Sequence, residues 1–254
     1  MSKESQVEVL GVRFDNLTMR EAVDAALALI AEHRCTYAAT PNPEIVMLSR
    51  KDASLSSALK EASLVIADGV GIVYGAKILG TPLKARLPGI DFAGCLMQEL
   101  AKTNGRVFLF GAKPGIAELA AQTLTATHPG LSVCGTHNGY FSDDAEIIAE
   151  INAAKPDLLL VCLGAPKQEL WMQANAGKLN AGLMIGLGGS LDVFAGTVRR
   201  APESWCKLGL EWLYRLIKEP RRIGRMRKLP VFLIAVIRCR LLERRRLRGN
   251  SDAR

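Results

Sequence analysis

The chain has 254 residues, of which 49% are hydrophobic and 23% charged, and its formal net charge is +8. This composition excludes a disordered chain, and the length suits one α/β domain with a sizeable core. Residues 1–8 are polar and lack the apolar stretch of a secretory signal, which predicts a cytoplasmic protein. The six cysteines stand far apart, with no C-x-x-C pair and no histidine at metal-ligand spacing, so we expect neither a disulfide framework nor a metal site.

The positive charge is concentrated near the C-terminus. Residues 199–254 contain 17 Lys and Arg against 5 Asp and Glu, a net charge of +12, which leaves −4 for residues 1–198. We therefore divide the chain into an α/β domain over 1–198 and a basic, amphipathic helical appendage over 199–254. Such an uneven distribution is typical of a protein that docks on something anionic, whether phospholipid, nucleic acid or a phosphorylated ligand.

Predicted strands and helices alternate along the body. A hairpin is predicted over Val7–Leu17, a helix over Thr18–Glu32, a second from Pro114 to Thr127, and a third after Ser142 as its N-cap. Apolar runs predict buried strands at Tyr37–Ala39, Leu64–Ala67, Val107–Phe110, Ser132–Cys134, Leu158–Leu163 and Leu183–Leu187. The alternation predicts a Rossmann-like, doubly wound and mostly parallel sheet.

Glycine-rich loops follow most of the predicted strands, at the edge where such sheets bind ligands. Glycine lets backbone N–H groups approach a phosphate closely. However, Gly69, Gly71 and Gly75 miss the G-x-G-x-x-G spacing by one residue, and the Gly111–Gly115 loop lacks the G-K-[ST] ending of a P-loop. A plain dehydrogenase or ATPase is therefore disfavoured. The chain also lacks an Asp-x-Asp pair that would hold a metal on a diphosphate.

A set of short strings, in this order, resembles the WecG/TagA/CpsF family of glycosyltransferases over roughly Val7 to Pro230. The strings are Thr40–Asn42, Ala67–Gly71, Arg86–Asp91, Phe110–Ala112, Asn138–Phe141, Gly164–Glu169 and Gly188–Asp192. The resemblance implies an inverting transfer, without metal or cofactor, of a hexose-type sugar from a UDP-sugar to an undecaprenyl-diphosphate-linked saccharide in surface-polysaccharide assembly. N-acetylmannosamine, its uronic acid and glucose remain open as the transferred sugar, since they differ by few pocket contacts.

Asp68 is the candidate catalytic residue. It follows the predicted strand over Leu64–Ala67, and an inverting transfer needs a carboxylate that removes the proton of the acceptor hydroxyl. The alternative interpretation is that Asp68 only caps a helix that begins near Gly69.

Polar residues after other strands are candidates for substrate binding. Thr40 and Asn42 have a hydroxyl and an amide for a sugar ring, although Pro41 and Pro43 equally predict a turn before a helix. Gln168 is a candidate for a substrate hydroxyl, or else a polar first-turn residue. Arg86 suits a diphosphate because its planar fork matches phosphate oxygens, and its alternative is a solvated surface side chain.

Two further candidates would recognise the nucleotide. Tyr140 offers an aromatic face to uracil, or else it only covers the core. Asp192 offers a hydrogen-bond acceptor to the base or ribose, or else it caps a helix beginning at Val193. The amides of Gly188, Gly189 and Ser190 are predicted to stabilise the leaving diphosphate. Gly111 and Gly164, in the resembling strings, are assigned to substrate binding as well.

The appendage predicts attachment to the inner face of the plasma membrane. Leu229–Ile237 is too short to span a bilayer, but Trp205, Trp212 and Tyr214 precede it and a run of arginines follows, as in helices that lie among lipid headgroups. Arg221, Arg222 and Arg225 are assigned to anionic lipid or to the acceptor diphosphate. The alternatives are a solvated charged face, and a core or oligomer-contact helix for the apolar run.

Two other classes of protein compete with a glycosyltransferase. A pI of about 9.3 and an arginine-rich end fit a nucleic-acid-binding protein, but the sequence contains no recognisable recognition module, so we expect no nucleic-acid partner. A Rossmann-type oxidoreductase is the second alternative. The sequence leaves the oligomeric state open and is compatible with self-association of the body.

Overall fold

A computed structural model gives the fold and describes residues 6–218, 220, 224 and 228–251. The chain begins with an antiparallel hairpin of β1 (Gln6–Val9) and β2 (Val12–Asp15), which confirms the hairpin predicted there. Asp15 at its end is 4% exposed, and its Oδ2 accepts a hydrogen bond of 2.8 Å from the backbone N–H of Val65. The hairpin is therefore fixed to the strand that leads to Asp68.

Six parallel strands form the central sheet, which confirms the Rossmann-like prediction. The strands are β3 (Thr36–Ala39), β4 (Leu64–Val65), β5 (Arg106–Gly111), β6 (Ser132–His137), β7 (Leu158–Cys162) and β8 (Leu183–Gly186). Their order across the sheet is β4-β3-β8-β7-β5-β6, and every pairing between neighbours is parallel.

Helices cover both faces of the sheet, as the alternation of side chains along β7 shows. Leu158 and Leu160 pack into one apolar cluster with α1, α5 and α6, whereas Leu159 and Val161 pack into another with α7 and α8. The helices are α1 (Met19–Ala31), α2 (Pro43–Ser49), α3 (Ala53–Glu61), α4 (Val70–Leu79), α5 (Gly89–Ala101), α6 (Ile116–Thr127), α7 (Ala145–Ala154), α8 (Lys167–Asn175), α9 (Ser190–Phe194), α10 (Glu203–Lys207), α11 (Glu211–Lys218) and α12 (Lys228–Ser251).

Three helix N-termini can be compared with their predicted positions. The helix predicted over Thr18–Glu32 is confirmed, and Thr18 caps it in a reciprocal pairing with Glu21. The helix assigned to Pro114 begins two residues later, because Gly115 adopts a left-handed conformation (φ +85°) at the N-cap position. The helix assigned to Ser142 begins at Ala145, whose backbone N–H is bound by the side chain of Asp143. Those two N-termini were therefore placed wrongly.

The C-terminal helix α12 packs against α4, and the two helices run parallel. A Cβ atom on Gly71 would lie 2.9 Å from Leu229, and one on Gly75 would lie 3.0 Å from Phe232, so the small residues of α4 allow close approach. Phe232 and Val236 are fully buried in a cluster shared with the hairpin, α2, α3 and α4. The interpretation of the apolar run as a core helix therefore holds for its inward face.

The outward face of α12 remains in solvent. Val231, Ile234 and Ile237 are 52%, 56% and 46% exposed, and Leu241 and Leu242 continue the same surface. We call these five residues the exposed face of α12. Within the described residues, none of the helices combines the length and the hydropathy that crossing a bilayer requires.

Candidate active site

A cavity of about 450 Å³ opens at the carboxyl ends of four neighbouring strands, β4, β3, β8 and β7. The loops that follow these strands form its floor. Trp212 of α11 and Leu229 of α12 line it as well, so the C-terminal helices contribute to its wall. This is the position at which open α/β sheets bind their ligands.

Most of the predicted site residues line this cavity. They come from positions as far apart as 40 and 190, and the parallel sheet brings them to one edge. The set comprises Thr40, Asn42, Asp68, Arg86, Gly164, Gln168, Gly188, Gly189 and Ser190.

Three predicted residues do not line the cavity. Gly111 is the last residue of β5 and Tyr140 follows β6, and these two strands lie beyond the four that border the cavity. Gly111 is needed by the backbone, because its φ is +129° and a Cβ atom would overlap the carbonyl oxygen of Cys162. Tyr140 is 67% exposed. Asp192 lies inside α9 and does not cap a helix at Val193, so that alternative is wrong.

The predicted contacts of Arg221, Arg222 and Arg225 lie outside the described residues.

Asp68 lies half-buried on the cavity wall, three residues after β4 ends at Val65. The helix that follows begins at Val70, and its N-cap position belongs to Gly69, which has a φ of +92°. The interpretation of Asp68 as the cap of this helix therefore receives no support from the helix geometry.

Thr40 and Asn42 each use one atom to hold the loop after β3. The Thr40 hydroxyl donates to the carbonyl oxygen of Gly186 at 2.8 Å. The Asn42 Oδ1 accepts from the backbone N–H groups of Glu44 and Ile45 at 2.9 and 3.1 Å, so Asn42 caps α2. The Thr40 oxygen keeps acceptor capacity and the Asn42 amide keeps its NH2 donors for a ligand.

Gln168 fixes the loop after β8. It is 2% exposed, and its Oε1 accepts from the backbone N–H of Gly188 at 2.9 Å, while its Nε2 donates to Glu169 Oε1 at 2.8 Å. Because Gly188 and Ser190 donate within the protein, to Gln168 and to the carbonyl oxygen of Leu187, two of the three amides proposed for the diphosphate are already engaged.

The sequence matches the family described as the glycosyl transferase WecG/TagA/CpsF family over residues 7–246. The chain belongs to this family. It is 34% identical over 242 residues to N-acetylglucosaminyldiphosphoundecaprenol N-acetyl-beta-D-mannosaminyltransferases of Staphylococcus aureus strains MW2, NCTC 8325 and COL, which covers 94% of the chain and 95% of each relative.

Membership of the WecG/TagA/CpsF family makes the protein a glycosyltransferase, which confirms that prediction and excludes a Rossmann-type oxidoreductase. Its cavity also contains residues that sequence reasoning missed. Glu44, Glu211, Trp212 and Leu229 line the cavity, yet no spacing or motif in the sequence marks them as ligand-binding residues. The last three come from α11 and α12, where the sequence predicts membrane contact instead.

Two arginines join the segment after β8 to the chain around the start of α5. Arg86 donates to Glu211 Oε2 at 2.9 Å and to the carbonyl oxygen of Cys206 at 3.1 Å. Arg200 forms a bidentate pair with Asp91, and this pairing raises the pKa of its guanidinium. Both arginines therefore hold the segment after β8 against the rest of the protein.

Burial shifts the protonation of other groups near the site. Desolvation raises the pKa of Glu169, which is 1% exposed. Desolvation also raises the pKa of Cys162 to about 12, so this thiol stays protonated and is no nucleophile. Among the residues that the structure describes, no three His, Cys, Asp or Glu side chains are grouped as metal ligands.

Proposed function

We propose that this protein transfers an N-acetyl-β-D-mannosaminyl group from a UDP-linked donor to N-acetylglucosaminyl-diphosphoundecaprenol. The observation that carries the proposal is the placement of Asp68, Thr40, Asn42 and Gln168 around one cavity in a chain that is 34% identical to transferases with that name. Similarity across 94% of the chain favours the same transferred sugar over its uronic acid or glucose.

Asp68 is proposed as the general base of an inverting transfer. The acceptor hydroxyl attacks the anomeric carbon from the face opposite UDP, and its proton passes to the Asp68 carboxylate. A bond forms between the acceptor oxygen and the anomeric carbon. The bond between that carbon and the β-phosphate oxygen breaks, and its electron pair leaves with UDP. Positioned base catalysis of this kind contributes about 10²- to 10⁴-fold in rate.

Arg86 is proposed to stabilise the negative charge that develops on the leaving diphosphate. Arg86 lines the cavity and its guanidinium is paired with Glu211, so its position is fixed before substrate arrives. A fixed cation that stabilises the leaving oxygen lowers the barrier without reorganising during the reaction. We propose on this basis that transfer proceeds without a divalent metal.

Thr40, Asn42 and Gln168 are proposed to hold sugar hydroxyl groups. The Thr40 oxygen accepts, the Asn42 amide donates, and each is already held by the backbone at its other atoms. A pre-ordered polar group loses little entropy when a ligand binds.

The exposed face of α12 is proposed to lie on the cytoplasmic surface of the plasma membrane. Its residues are apolar, and Arg238 and Arg240 lie beside them, with further arginines at 244, 245, 246 and 248 in the sequence. Anionic lipid attracts each nearby arginine by about 1 kcal/mol. Leu229 at the start of the same helix lines the cavity, so a lipid-linked acceptor would reach the site from that side.

The direct test incubates the purified chain with UDP-N-acetylmannosamine and a short-chain polyprenyl-diphosphate N-acetylglucosamine. We expect a disaccharide product and release of UDP, both unchanged by EDTA. Asp68→Asn should keep UDP affinity and lose at least about 100-fold in kcat, because the base is gone while the cavity remains. Near-normal kcat in this variant would remove Asp68 from its role, and a requirement for metal would contradict the proposed chemistry.

The membrane attachment is tested with vesicles of phosphatidylglycerol and of phosphatidylcholine. We expect salt-sensitive binding to the anionic vesicles, and Ile234→Ser with Ile237→Ser should weaken it, because both side chains belong to the exposed face of α12. Stronger binding to duplex DNA than to anionic vesicles would instead favour the nucleic-acid alternative.

A further inference from the structure

Glu169 is a buried acid that the proposed chemistry does not use. It is the third residue of α8 and is 1% exposed. Its Oε1 accepts from Gln168 Nε2, and among the described residues its Oε2 has no hydrogen-bond partner. Burying a carboxylate is unfavourable, and an apolar side chain would pack at this position without that cost. A role for the carboxylate would account for its presence.

The neighbouring Gln168 amide has two orientations, related by exchange of its oxygen and nitrogen. The Gly188 N–H can only donate, so it requires the Gln168 oxygen. Glu169 Oε1 accepts from the Gln168 NH2, and it stays an acceptor both in an ionised carboxylate and in an acid protonated at Oε2. In the exchanged orientation both contacts would fail together, with two donors facing each other and two acceptors facing each other. Glu169 thus adds a second contact that favours the observed orientation.

The Gln168 amide is also closely confined by the backbone. A Cβ atom on Gly186 would lie 2.9 Å from Gln168 Nε2, so the amide packs directly on the end of β8. The carbonyl oxygen of Gly186 accepts from Thr40, and Gly188 follows two residues later in the cavity wall. The orientation of the Gln168 amide therefore affects the position of the cavity wall between Thr40 and Gly188.

We infer that Glu169 is a positioning residue, which fixes the orientation of the Gln168 amide and thereby holds the Gly188 peptide in the cavity wall. Glu169 itself does not line the cavity, so it acts through Gln168. The kinetic part of its test rests on the proposed function, whereas the spectroscopic part needs no substrate.

The kinetic test compares Glu169→Gln, which keeps an acceptor for Gln168, with Glu169→Met, which removes it. Glu169→Met should raise the KM for the UDP-sugar and the Kd for UDP by about 10-fold, with kcat changed less than about 3-fold, because the cavity wall loses its alignment. Glu169→Gln should restore both constants to within about 3-fold of the wild type. A merely structural role would lower kcat through inactive protein and leave KM unchanged, which would overturn the inference.

Two controls sharpen this comparison. Glu146→Met makes the same substitution in the first turn of α7, at an exposed residue that lines no part of this cavity, and should leave KM unchanged. In a Gln168→Met background, Glu169→Met should add less than about 2-fold, because the group that it positions is already gone. Effects that multiply in the double variant would overturn the inference.

Exchange of the Gln168 side-chain NH2 protons with water decides the same question without turnover. These signals are identified by their loss in Gln168→Met, and we expect slow exchange in the wild type and in Glu169→Gln. Rapid exchange in both would overturn the inference even if Glu169→Met fails to fold. A wild-type chain that shows slow exchange but binds no UDP would retain the inference and contradict the proposed function.

Discussion

Arg86 and Glu211 form an ion pair of 2.9 Å between the segment before α5 and the first residue of α11, with their side chains 20% and 11% exposed. The same guanidinium reaches the carbonyl oxygen of Cys206 at 3.1 Å. Because a lysine ammonium cannot span both acceptors in this geometry, Arg86→Lys should lower the free energy of unfolding by about 1–2 kcal/mol in urea titrations.

The matched control for this substitution is Arg20→Lys. Arg20 pairs with Asp24 on the surface of α1, where both side chains are more than half exposed. Exposed pairs of this kind contribute little, so we expect a change below about 0.5 kcal/mol. Equal losses in the two variants would mean that the pair with Glu211 does not fasten α11 to the body.

Phe232 and Ile234 lie on opposite faces of α12, and their truncation should separate its two roles. Phe232 is fully buried beside Gly75, so Phe232→Ala should lower the free energy of unfolding by about 3–5 kcal/mol. Ile234 is 56% exposed, and Ile234→Ala should change it by less than about 0.5 kcal/mol. Thermal and urea unfolding measure both changes. A loss below about 1 kcal/mol in Phe232→Ala would mean that the packing of α12 contributes little to the stability of the fold.

The sequence predicted the sheet and most of the cavity lining because both depend on local patterns. Short apolar runs identify buried strands, and glycine with polar residues after each run identifies the binding edge. Thr40, Asp68 and Gln168 line the cavity at that edge for this reason. The order of the strands has no local signature, so Gly111 and Tyr140 were assigned to the same site although β5 and β6 lie away from the cavity.

The contribution of the C-terminal helices could not be predicted, because it depends on how distant helices pack. The arginines and the apolar run indicated a surface appendage, whereas Phe232 and Val236 belong to the core and Leu229 to the cavity. A Cβ atom on Gly71 would approach both Pro43 and Leu229, whereas the spacing of Gly69, Gly71 and Gly75 in the sequence resembles only a nucleotide-binding loop. Glycine allows close approach of a phosphate or of a helix, and the sequence does not distinguish the two.

Glu21 should titrate well below an ordinary glutamate. Lys84 and the N-cap Thr18 both donate to its carboxylate, and they lower its pKa from 4.5 to about 2. Since the folded pKa is lowered, the ionised group stabilises the fold above pH 4.5, and this contribution is lost as pH falls from 4.5 through 2.

Carboxyl-carbon NMR titration measures the pKa of Glu21 directly. Lys84→Met should raise it, because the Lys84 hydrogen bond is the largest cause of the lowering. Lys102→Met, which removes the partner of Glu99 on α5, should leave it unchanged. A Glu21 that titrates near 4.5 in the wild type would contradict the contact with Lys84.

Gly111 ends β5 and Gly115 lies in the loop that follows it, and alanine at the two positions should distinguish a backbone requirement from a binding role. Both have a positive φ, of +129° and +85°. A Cβ atom on Gly111 would overlap the carbonyl oxygen of Cys162 in the neighbouring strand, whereas one on Gly115 would meet nothing within 4 Å. Gly111→Ala should therefore lower the free energy of unfolding by about 3 kcal/mol or more, and Gly115→Ala by about 1 kcal/mol.

The Kd for UDP, measured on the folded fraction of each variant, completes this comparison. If Gly111 serves the contact between β5 and β7 and no ligand, UDP affinity per folded molecule should stay within about 2-fold in both variants, because neither residue lines the cavity. A stable Gly111→Ala variant that loses UDP affinity would instead indicate that Gly111 contacts the nucleotide, as the string Phe110–Ala112 predicts. Such a result would also require the nucleotide to extend beyond β7 towards β5.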